Sequence, residues 1–171
     1  MQPLLYLAYG SNMLTRRLQA RCSSARPVGP GLIFNHAIAF SKRGQDGSGK
    51  ATLVARSGAS VPGVLFHLDF EDRPVLDRFE GAGRGYDRHD AMNVRGADGE
   101  TVTAFTYIAP PDMCDPNLRP FDWYLGLVEA GAREHGLPDA HCRALSQIET
   151  IADPDAERPG HVEARVLLAI P

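Results

Sequence analysis

The amino-acid sequence predicts an α+β fold, because strand-like patterns dominate its first two thirds and helical patterns follow late in the chain. Strands and helices do not alternate strictly, which argues against a doubly wound parallel sheet. Hydrophobic residues make up 43% and charged residues 23% of the 171 residues, an ordinary globular balance. This length favours one domain, and we expect it to span residues 1–171.

The first part of the chain contains two predicted strands and one short helix. An apolar run at residues 4–9 indicates a buried strand, and a helical period begins near Met13. Prolines and glycines at residues 27–31 predict a loop, and the apolar residues 32–40 predict the next strand. A flexible loop is expected at residues 44–49, which are polar and rich in glycine.

The middle of the chain continues this strand-rich pattern. Residues 51–55 and 64–68 predict two strands, with a turn at residues 57–62 between them. Residues 86–94 and 101–108 predict a hairpin, with the turn at Ala97-Asp98-Gly99 between its two strands.

One helix is predicted between these two groups of strands. Asp69 is placed to cap it, and the acidic residues that follow suit the positive end of the helix dipole. Its apolar face is formed by Val75, Leu76 and Phe79. The helix is expected to end at Gly81, the first of several closely spaced glycines.

The last third of the chain is mostly helical in pattern. Apolar residues recur at i, i+3, i+4 and i+7 over residues 121–132, and Gly136 is the expected C-cap. A second late helix is predicted to continue over residues 145–152. The apolar residues 166–170 predict a last strand.

Charge and cysteine content argue against several classes of protein. The net charge of −3 argues against nucleic-acid binding, and we interpret Arg16, Arg17 and Arg21 as the solvated face of a short helix. No apolar run approaches the ~20 residues of a membrane span, and the N-terminus lacks the pattern of a signal peptide. Three widely spaced cysteines do not form a disulfide framework, so we expect a cytoplasmic protein.

The tetrapeptide Tyr-Gly-Ser-Asn at residues 9–12 joins a predicted buried strand to a helix. At such a junction successive backbone N–H groups lack partners and can point at one ligand. Glycine lets a ligand approach the backbone closely, and Ser11 and Asn12 can bond the ligand or cap the helix. Two interpretations remain open: a binding site for a carboxylate or another anion, and an ordinary capped turn without a ligand.

Glu80 closes the predicted helix, directly after the apolar Phe79 and before Gly81. A carboxylate at a helix C-terminus opposes the helix dipole at a cost of ~0.3–1 kcal/mol when exposed, so an acid placed there can have a chemical task. Partly buried beside Phe79, Glu80 is a candidate proton shuttle. The alternative is a surface acid without a role.

Three other chemistries are disfavoured by the spacing of the residues. Residues 44–50 nearly match the phosphate loop G-x-x-x-x-G-K-[ST], but Ala51 stands where the magnesium-binding hydroxyl belongs, and a strand follows. None of the six histidines has a second ligand at a zinc spacing, so we expect no structural metal. Ser11 lacks the G-x-S-x-G elbow, and no cysteine carries a protease signature.

Three segments carry distinctive motifs in a fixed order: YLAYGSNMLT at residues 6–15, LDRFEGAGRGY at residues 76–86 and, after Tyr124, GAREHGLP at residues 131–138. Together they resemble the gamma-glutamylcyclotransferase family over residues 4–148. The first segment is similar to the opening signature of that family, the second to its catalytic segment and the third to its late helix and turn.

This resemblance implies a fold, a reaction and a site. The fold would be a small mixed β-barrel with flanking helices. The reaction would cyclise the γ-glutamyl group of a small-molecule substrate to 5-oxoproline and release a free amine, with no metal or organic cofactor. Glu80 would be the general acid/base. The substrate would be bound by Tyr6, Leu7, Ala8, Tyr9, Gly10, Ser11, Asn12, Tyr86 and Tyr124.

The resemblance leaves the leaving amine and the oligomeric state open. Asn12 stands where the glutathione-specific branch carries leucine, which argues against glutathione as the substrate. Amino acids, simple amines, lysine linked through its ε-nitrogen and a biosynthetic intermediate remain as leaving groups. A non-catalytic binder on the same fold is the alternative, although the retained acid at Glu80 argues against it. A monomer and a homodimer are both compatible with the sequence.

Overall fold

Residues 3–169 are described by the computed structural model, and five strands within this range close into a barrel. The strands are β1 Leu4–Ala8, β2 Arg26–Arg43, β3 Gly49–Leu68, β4 Asp87–Gly96 and β5 Thr101–Ile108. Their order around the barrel is β1-β3-β2-β4-β5, and β1 pairs in parallel with β5 to close it. The other neighbouring pairs are antiparallel.

The described residues also contain five α-helices, which flank the barrel. They are α1 Thr15–Arg21, α2 Arg73–Glu80, α3 Asp122–Glu134, α4 Asp139–Ser146 and α5 Pro159–Leu168. Helix α3 packs against α4, α5 and the 3₁₀ turn Ser11–Met13 that follows β1. The predicted α+β class and the barrel with flanking helices are confirmed. Within residues 3–169, no helix combines the length and apolarity needed to cross a bilayer.

Strands β2 and β3 form one long antiparallel ribbon, so the predicted loop at residues 27–31 and the predicted turn at residues 57–62 are both wrong. A register shift between Pro27 and Gly29 accommodates the first proline as a bulge. Pro62 pairs with β2 but lies beyond the end of the β1 pairing, so among the described strands no second neighbour needs the N–H that proline lacks.

The predicted last strand at residues 166–170 is wrong as far as the described range reaches, because α5 runs through most of it. Pro159 lies in the first turn of α5, where proline is favoured. Ala164 is buried, and Leu167, three residues further on, packs partly buried against the core. A short apolar run is compatible with a strand or with a helix. Here the proline at the start of α5 and the residues that pack against the core favour a helix.

Helix α4 ends at Ser146, so the prediction that the helix continues over residues 145–152 is wrong after its first two residues. Ile151 instead forms an isolated bridge with Phe121, and its N–H donates to the Pro120 carbonyl at 3.0 Å. This bridge fixes the segment between α4 and α5 to the start of α3.

Other local predictions are confirmed. The hairpin joins β4 to β5 through a turn at residues 97–99, and α3 covers almost all of the predicted residues 121–132. Gly136, which was predicted as the C-cap of α3, lies one residue beyond the observed C-cap His135 and has a left-handed φ of 60°. Gly81 ends α2 with a left-handed φ of 62°, a conformation that glycine adopts without steric cost.

The helix that carries the candidate acid differs from its prediction in two details. Asp69 precedes the 3₁₀ turn Phe70–Asp72 and its side chain makes no capping hydrogen bond, so it does not cap α2. Leu76 is fully buried as predicted, whereas Phe79 is 56% exposed. The Arg21 guanidinium lies 5.0 Å from the centre of the Phe79 ring and covers it from one side.

Candidate active site

A small cavity of about 40 Å³ lies at the end of β1, beside residues 9–12, which we refer to as the site loop. The cavity is lined by Tyr6, Tyr9, Gly10, Ser11, Asn12, Ala51, Glu80, Tyr86, Tyr107 and Tyr124. All five tyrosines of the chain are in this set. The fold therefore brings Asn12 and Glu80, 68 residues apart in sequence, to hydrogen-bonding distance.

The tyrosine side chains form a hydrogen-bonded wall around the cavity. The Tyr86 hydroxyl donates to the Ala51 carbonyl at 2.7 Å, and the Tyr124 hydroxyl accepts from the Ala51 N–H at 3.1 Å. The Tyr9 hydroxyl donates to the Tyr107 carbonyl. Burial raises the pKa of Tyr9, Tyr86 and Tyr124 above the ordinary value, so these hydroxyls stay protonated at neutral pH.

Tyr107 is held from outside the cavity. Its hydroxyl donates to Asp77 Oδ1 at 2.7 Å, and Arg88 pairs with Asp77 Oδ2. Burial, followed by the hydrogen bond to Asp77, raises the pKa of Tyr107. Because Asp77 lies on α2 one turn before Glu80, this network fixes the helix of the acid against β4 and β5.

Glu80 is the last residue of α2, and its side chain is 14% exposed. The Asn12 amide nitrogen donates to Glu80 Oε1 at 2.9 Å, and Arg21 Nη1 lies 3.4 Å from the same oxygen. Within residues 3–169, no hydrogen bond is recorded to the second carboxylate oxygen, Oε2. The acid is thus held through one oxygen, while the other is available to a substrate.

Asn12 connects the acid to the rest of the site. Its amide nitrogen also donates to the Tyr6 hydroxyl at 3.2 Å, and its carbonyl oxygen accepts from Arg21 Nη1 at 3.1 Å. The Arg21 side chain is only 15% exposed. The predicted interpretation of Arg21 as part of a solvated face is therefore wrong, because Asn12 and Glu80 bind it from two elements that are distant in sequence.

Arg17 also departs from the predicted solvated face, since it is 6% exposed. Its Nε donates to Ser11 Oγ at 3.2 Å, and its Nη1 pairs with Glu163 Oε2 at 2.6 Å. Arg17 and Arg21 are four residues apart and so lie on the same face of α1. Helix α5 thereby reaches the site loop through Arg17, a connection that no local sequence pattern indicated.

Two glycines set the position of the site loop. A β-carbon on Gly10 would lie 3.2 Å from the Ala51 β-carbon and 3.5 Å from the Tyr124 hydroxyl, so a side chain there would fill the cavity. A β-carbon on Gly131 of α3 would lie 2.5 Å from the Leu14 nitrogen. The backbone of α3 therefore contacts the turn after the site loop directly.

Eight of the ten residues that the sequence predicted for the site line the cavity, and Leu7 and Ala8 do not. These two are 0% and 1% exposed and belong to the barrel core, where the Leu7 carbonyl accepts from the Thr106 hydroxyl at 2.7 Å. The prediction missed Ala51 and Tyr107 of the cavity wall, as well as Arg21. The polar Tyr107 inside a buried hairpin strand was a usable signal, whereas nothing local marks Ala51.

The stretch that resembles a phosphate loop, residues 44–50, forms the turn between β2 and β3 and the first two residues of β3. Lys50 Nζ donates to Asp46 Oδ2 at 2.6 Å and lies 4.6 Å from the centre of the Tyr124 ring. The lysine is thus bound by groups of the protein, and a strand follows it rather than the helix of a phosphate loop. No group of three or more His, Cys, Asp or Glu side chains within residues 3–169 is arranged to hold a metal ion.

A wider space of about 980 Å³, which we refer to as the outer groove, adjoins the cavity. Ser11, Glu80, Tyr86 and Tyr124 line both spaces. The outer groove is further defined by Lys42, Arg43, Lys50, Arg84, Trp123 and Arg158. A ligand seated in the cavity would therefore extend past Glu80 into this groove.

Comparison with known proteins agrees with this architecture. The model of the AIG2-like family matches residues 60–145. The gamma-glutamylcyclotransferase of Mus musculus is 30% identical over 155 residues, which cover 86% of this chain and 80% of the mouse protein. The gamma-glutamylcyclotransferase of Homo sapiens is 28% identical over 153 residues, with coverage of 86% and 80%. A solved structure of a gamma-glutamyl cyclotransferase matches with a TM-score of 0.88 and 25% identity over 98% of each chain.

The fold and the site define a class of enzyme, an α+β barrel whose tyrosine-walled cavity contains a single carboxylate. The chain belongs to the AIG2-like family. The relatives named above are gamma-glutamylcyclotransferases. The resemblance that the sequence motifs indicated is therefore confirmed.

Proposed function

We propose that this enzyme is a gamma-glutamylcyclotransferase, which converts the γ-glutamyl group of a γ-glutamyl amino acid or amine to 5-oxoproline and releases the amine. The observation that carries the proposal is the Glu80 carboxylate, held by Asn12 and Arg21 at a cavity whose other walls are tyrosines and the site loop. The names of its relatives support the same reaction.

The glutamyl group would occupy the cavity, with its polar atoms toward the site loop. N–H groups in the first turn of a helix lack partners inside that turn and favour anions. Gly10, Ser11 and Asn12 line the cavity at such a turn, and the missing side chain of Gly10 leaves space for the ligand. Their backbone would bind the glutamyl α-carboxylate or the γ-carbonyl oxygen.

The substrate supplies its own nucleophile, so Glu80 needs only to move protons. Glu80 takes a proton from the α-ammonium group, and the free amine attacks the γ-carbonyl carbon to form the ring C–N bond. The original amide C–N bond then breaks. The ring nitrogen loses two protons in all and the leaving nitrogen gains two, so Glu80 ends as it began. General acid–base catalysis of this kind contributes ~10²–10⁴-fold, and holding the two groups together contributes further.

Two tyrosines are available to stabilise the charge that develops on the carbonyl oxygen. The Tyr6 hydroxyl accepts from Asn12 and the Tyr124 hydroxyl accepts from Ala51, so each keeps its own proton for donation to a ligand. Burial raises the pKa of both hydroxyls, which keeps that proton in place at neutral pH. We propose that one of them, with the backbone of the site loop, forms the oxyanion hole.

We also propose that residues 1–171 act as one domain in the cytoplasm, without a metal or organic cofactor. The three cysteines Cys22, Cys114 and Cys142 are all free thiols, which suits a reducing compartment. Glu80 and the substrate amine are sufficient for the proton transfers described above.

The experiment is a mass-spectrometric screen for 5-oxoproline, with γ-glutamyl amino acids, γ-glutamyl amines, γ-glutamyl-ε-lysine and glutathione as substrates. We expect 5-oxoproline from at least one substrate, and we expect Glu80→Gln to lose nearly all turnover while it still binds that substrate. The matched control is Glu71→Gln, which neutralises an exposed acid before α2 and should leave turnover unchanged. If Glu80→Gln keeps more than about a tenth of the wild-type kcat, a barrier change of only ~1.4 kcal/mol, then Glu80 is not the essential acid/base.

A further inference from the structure

The outer groove carries a local excess of positive charge. Eight lysine and arginine side chains line it, against the two carboxylates Asp46 and Glu80. Both lysines of the chain are among them, although the chain as a whole has a net charge of −3. Cations are thus concentrated where the part of the substrate beyond the scissile bond would lie.

Five of these eight cations are neutralised by carboxylates of the protein. The recorded pairs are Arg17–Glu163, Arg21–Glu80, Arg43–Asp115, Lys50–Asp46 and Arg158–Asp153. In the described part of the chain, Lys42, Arg78 and Arg84 have no carboxylate within the 4.0 Å that defines an ion pair. Arg78 and Arg84 are exposed to solvent, whereas Lys42 is buried, with 9% of its surface exposed.

Lys42 stands beside the turn that follows the acid. Its ammonium lies 4.8 Å from the centre of the Tyr86 ring, which also lines the cavity. A β-carbon on Gly85 would lie 3.3 Å from Lys42 Nζ and 3.2 Å from the Glu80 carbonyl oxygen. The ammonium is therefore close to the backbone of Glu80, and no side chain of Gly85 covers it.

An ammonium that is partly withdrawn from water and has no carboxylate partner is stabilised by an anionic ligand that compensates its charge. The cation–π contact with Tyr86 does not replace the hydrogen bonds that an ammonium makes in water. Burial lowers the pKa of Lys42, and the more distant charges of Glu80 and Asp46 oppose this effect. The protein thus keeps a partly desolvated positive charge at the mouth of the cavity.

We propose that Lys42 binds the carboxylate of an amino-acid leaving group, so that the enzyme prefers γ-glutamyl amino acids to γ-glutamyl amines without a carboxylate. This inference rests on the proposed function, because it names the leaving group of that reaction. The carboxylate of an α-amino acid is attached to the carbon next to the leaving nitrogen. It would enter the outer groove as the glutamyl group fills the cavity, whereas a cationic amine would be repelled by the same groove.

The test compares γ-glutamyl-alanine with γ-glutamyl-alaninamide, which has the same shape without the negative charge. We expect the wild type to favour the acid by roughly tenfold to a hundredfold in kcat/KM, the range of a hydrogen bond to a charged group. Lys42→Met should reduce this preference to less than about threefold, through a higher KM for the acid and an unchanged KM for the amide. Lys42→Arg should restore much of it. Arg56→Met, which removes an exposed charge of β3 outside the outer groove, should keep the full preference.

The outcomes separate this inference from the proposed function. If Lys42→Met keeps the wild-type preference, or if the wild type uses both compounds equally well, the inference is wrong, while 5-oxoproline formation still supports the proposed reaction. If neither compound is converted, calorimetric titration of Glu80→Gln with both compounds decides. Tighter binding of the acid that Lys42→Met abolishes supports the role of Lys42, and equal or absent binding overturns it.

Discussion

The substitution Asn12→Ala tests whether the site loop positions the acid. Asn12 makes three contacts in the site, as a donor to Glu80 and Tyr6 and as an acceptor from Arg21. Alanine removes all three and leaves the Glu80 carboxylate with the longer 3.4 Å contact to Arg21 alone. We expect the carboxylate to lose its fixed orientation toward the substrate amine, although the barrel and its helices should still form.

The size of the effect follows from the kind of hydrogen bond that is lost. A hydrogen bond to a charged group contributes about 1.5–3 kcal/mol, and Glu80 is too little exposed for water to replace it fully. If this energy is needed in the transition state, kcat falls by roughly tenfold to a hundredfold, at 1.36 kcal/mol per tenfold. The remaining contact with Arg21 favours the lower end of that range.

The assay is steady-state formation of 5-oxoproline, with thermal unfolding to verify that the variants are folded. Asn12→Asp is the sharper variant, because it keeps the shape but replaces the donor with a carboxylate next to Glu80, so its kcat should be lower than that of Asn12→Ala. Asn93→Ala, an exposed asparagine on β4, should match the wild type. A kcat for Asn12→Asp close to the wild-type value would refute the argument, since the Nδ2 donor would then be dispensable.

Two further predictions concern stability. Gly131→Ala should lower the free energy of unfolding by about 1–3 kcal/mol, because its β-carbon would lie 2.5 Å from the Leu14 backbone. The variant should therefore unfold at a lower temperature and lose activity. Gly126→Ala on the same helix meets only a side-chain tip at 3.2 Å and should be neutral or stabilising, so equal losses would contradict the reasoning. The hydrogen bond from Arg158 holds the pKa of Asp153 well below its usual range, so the stability it contributes is complete above the unfolded pKa, about 3.9, and is lost as the pH falls further. Asp153→Asn should therefore lower the melting temperature at pH 7, and the difference should shrink gradually below about pH 4 and become small only near about pH 1.5, because the contribution is lost as the pH falls through the depressed folded-state pKa. A difference that is the same at pH 7 and at about pH 1.5 would disprove this assignment.

Local patterns in the sequence predicted those parts of the site that depend on neighbouring residues. The change from an apolar strand to Gly-Ser-Asn marked the site loop, and an acid at the end of an amphipathic helix marked Glu80. The hairpin and α3 were also predictable, because their periodicity extends over many residues. Leu7 and Ala8 were assigned to the site because they belong to the motif, but both are buried in the barrel core and neither lines the cavity.

Contacts between distant segments could not be predicted in the same way. Arg21 appeared to be a surface residue because its partner Glu80 is 59 residues away, and Arg17 because Glu163 is 146 residues away. Because of their prolines and glycines, β2 and β3 were predicted as shorter strands separated by a loop and a turn. A proline interrupts a strand only where a neighbouring strand needs the N–H that proline lacks, and that depends on the fold. Each of these outcomes is decided by the partner across the fold and not by the residue itself.

The pairing of Arg21 with Glu80 also explains how the fold tolerates an acid in an unfavourable position. Glu80 ends α2 and Arg21 ends α1, so the negative ends of two helix dipoles meet at the site. A cation at the end of α1 is favoured by its own dipole, and its guanidinium lies 3.4 Å from the carboxylate that the dipole of α2 disfavours. Removing Arg21 would therefore leave Glu80 facing two helix ends with only Asn12 as a donor. Arg21 therefore stabilises the Glu80 carboxylate in the site, although the sequence alone suggested that Arg21 is exposed to solvent.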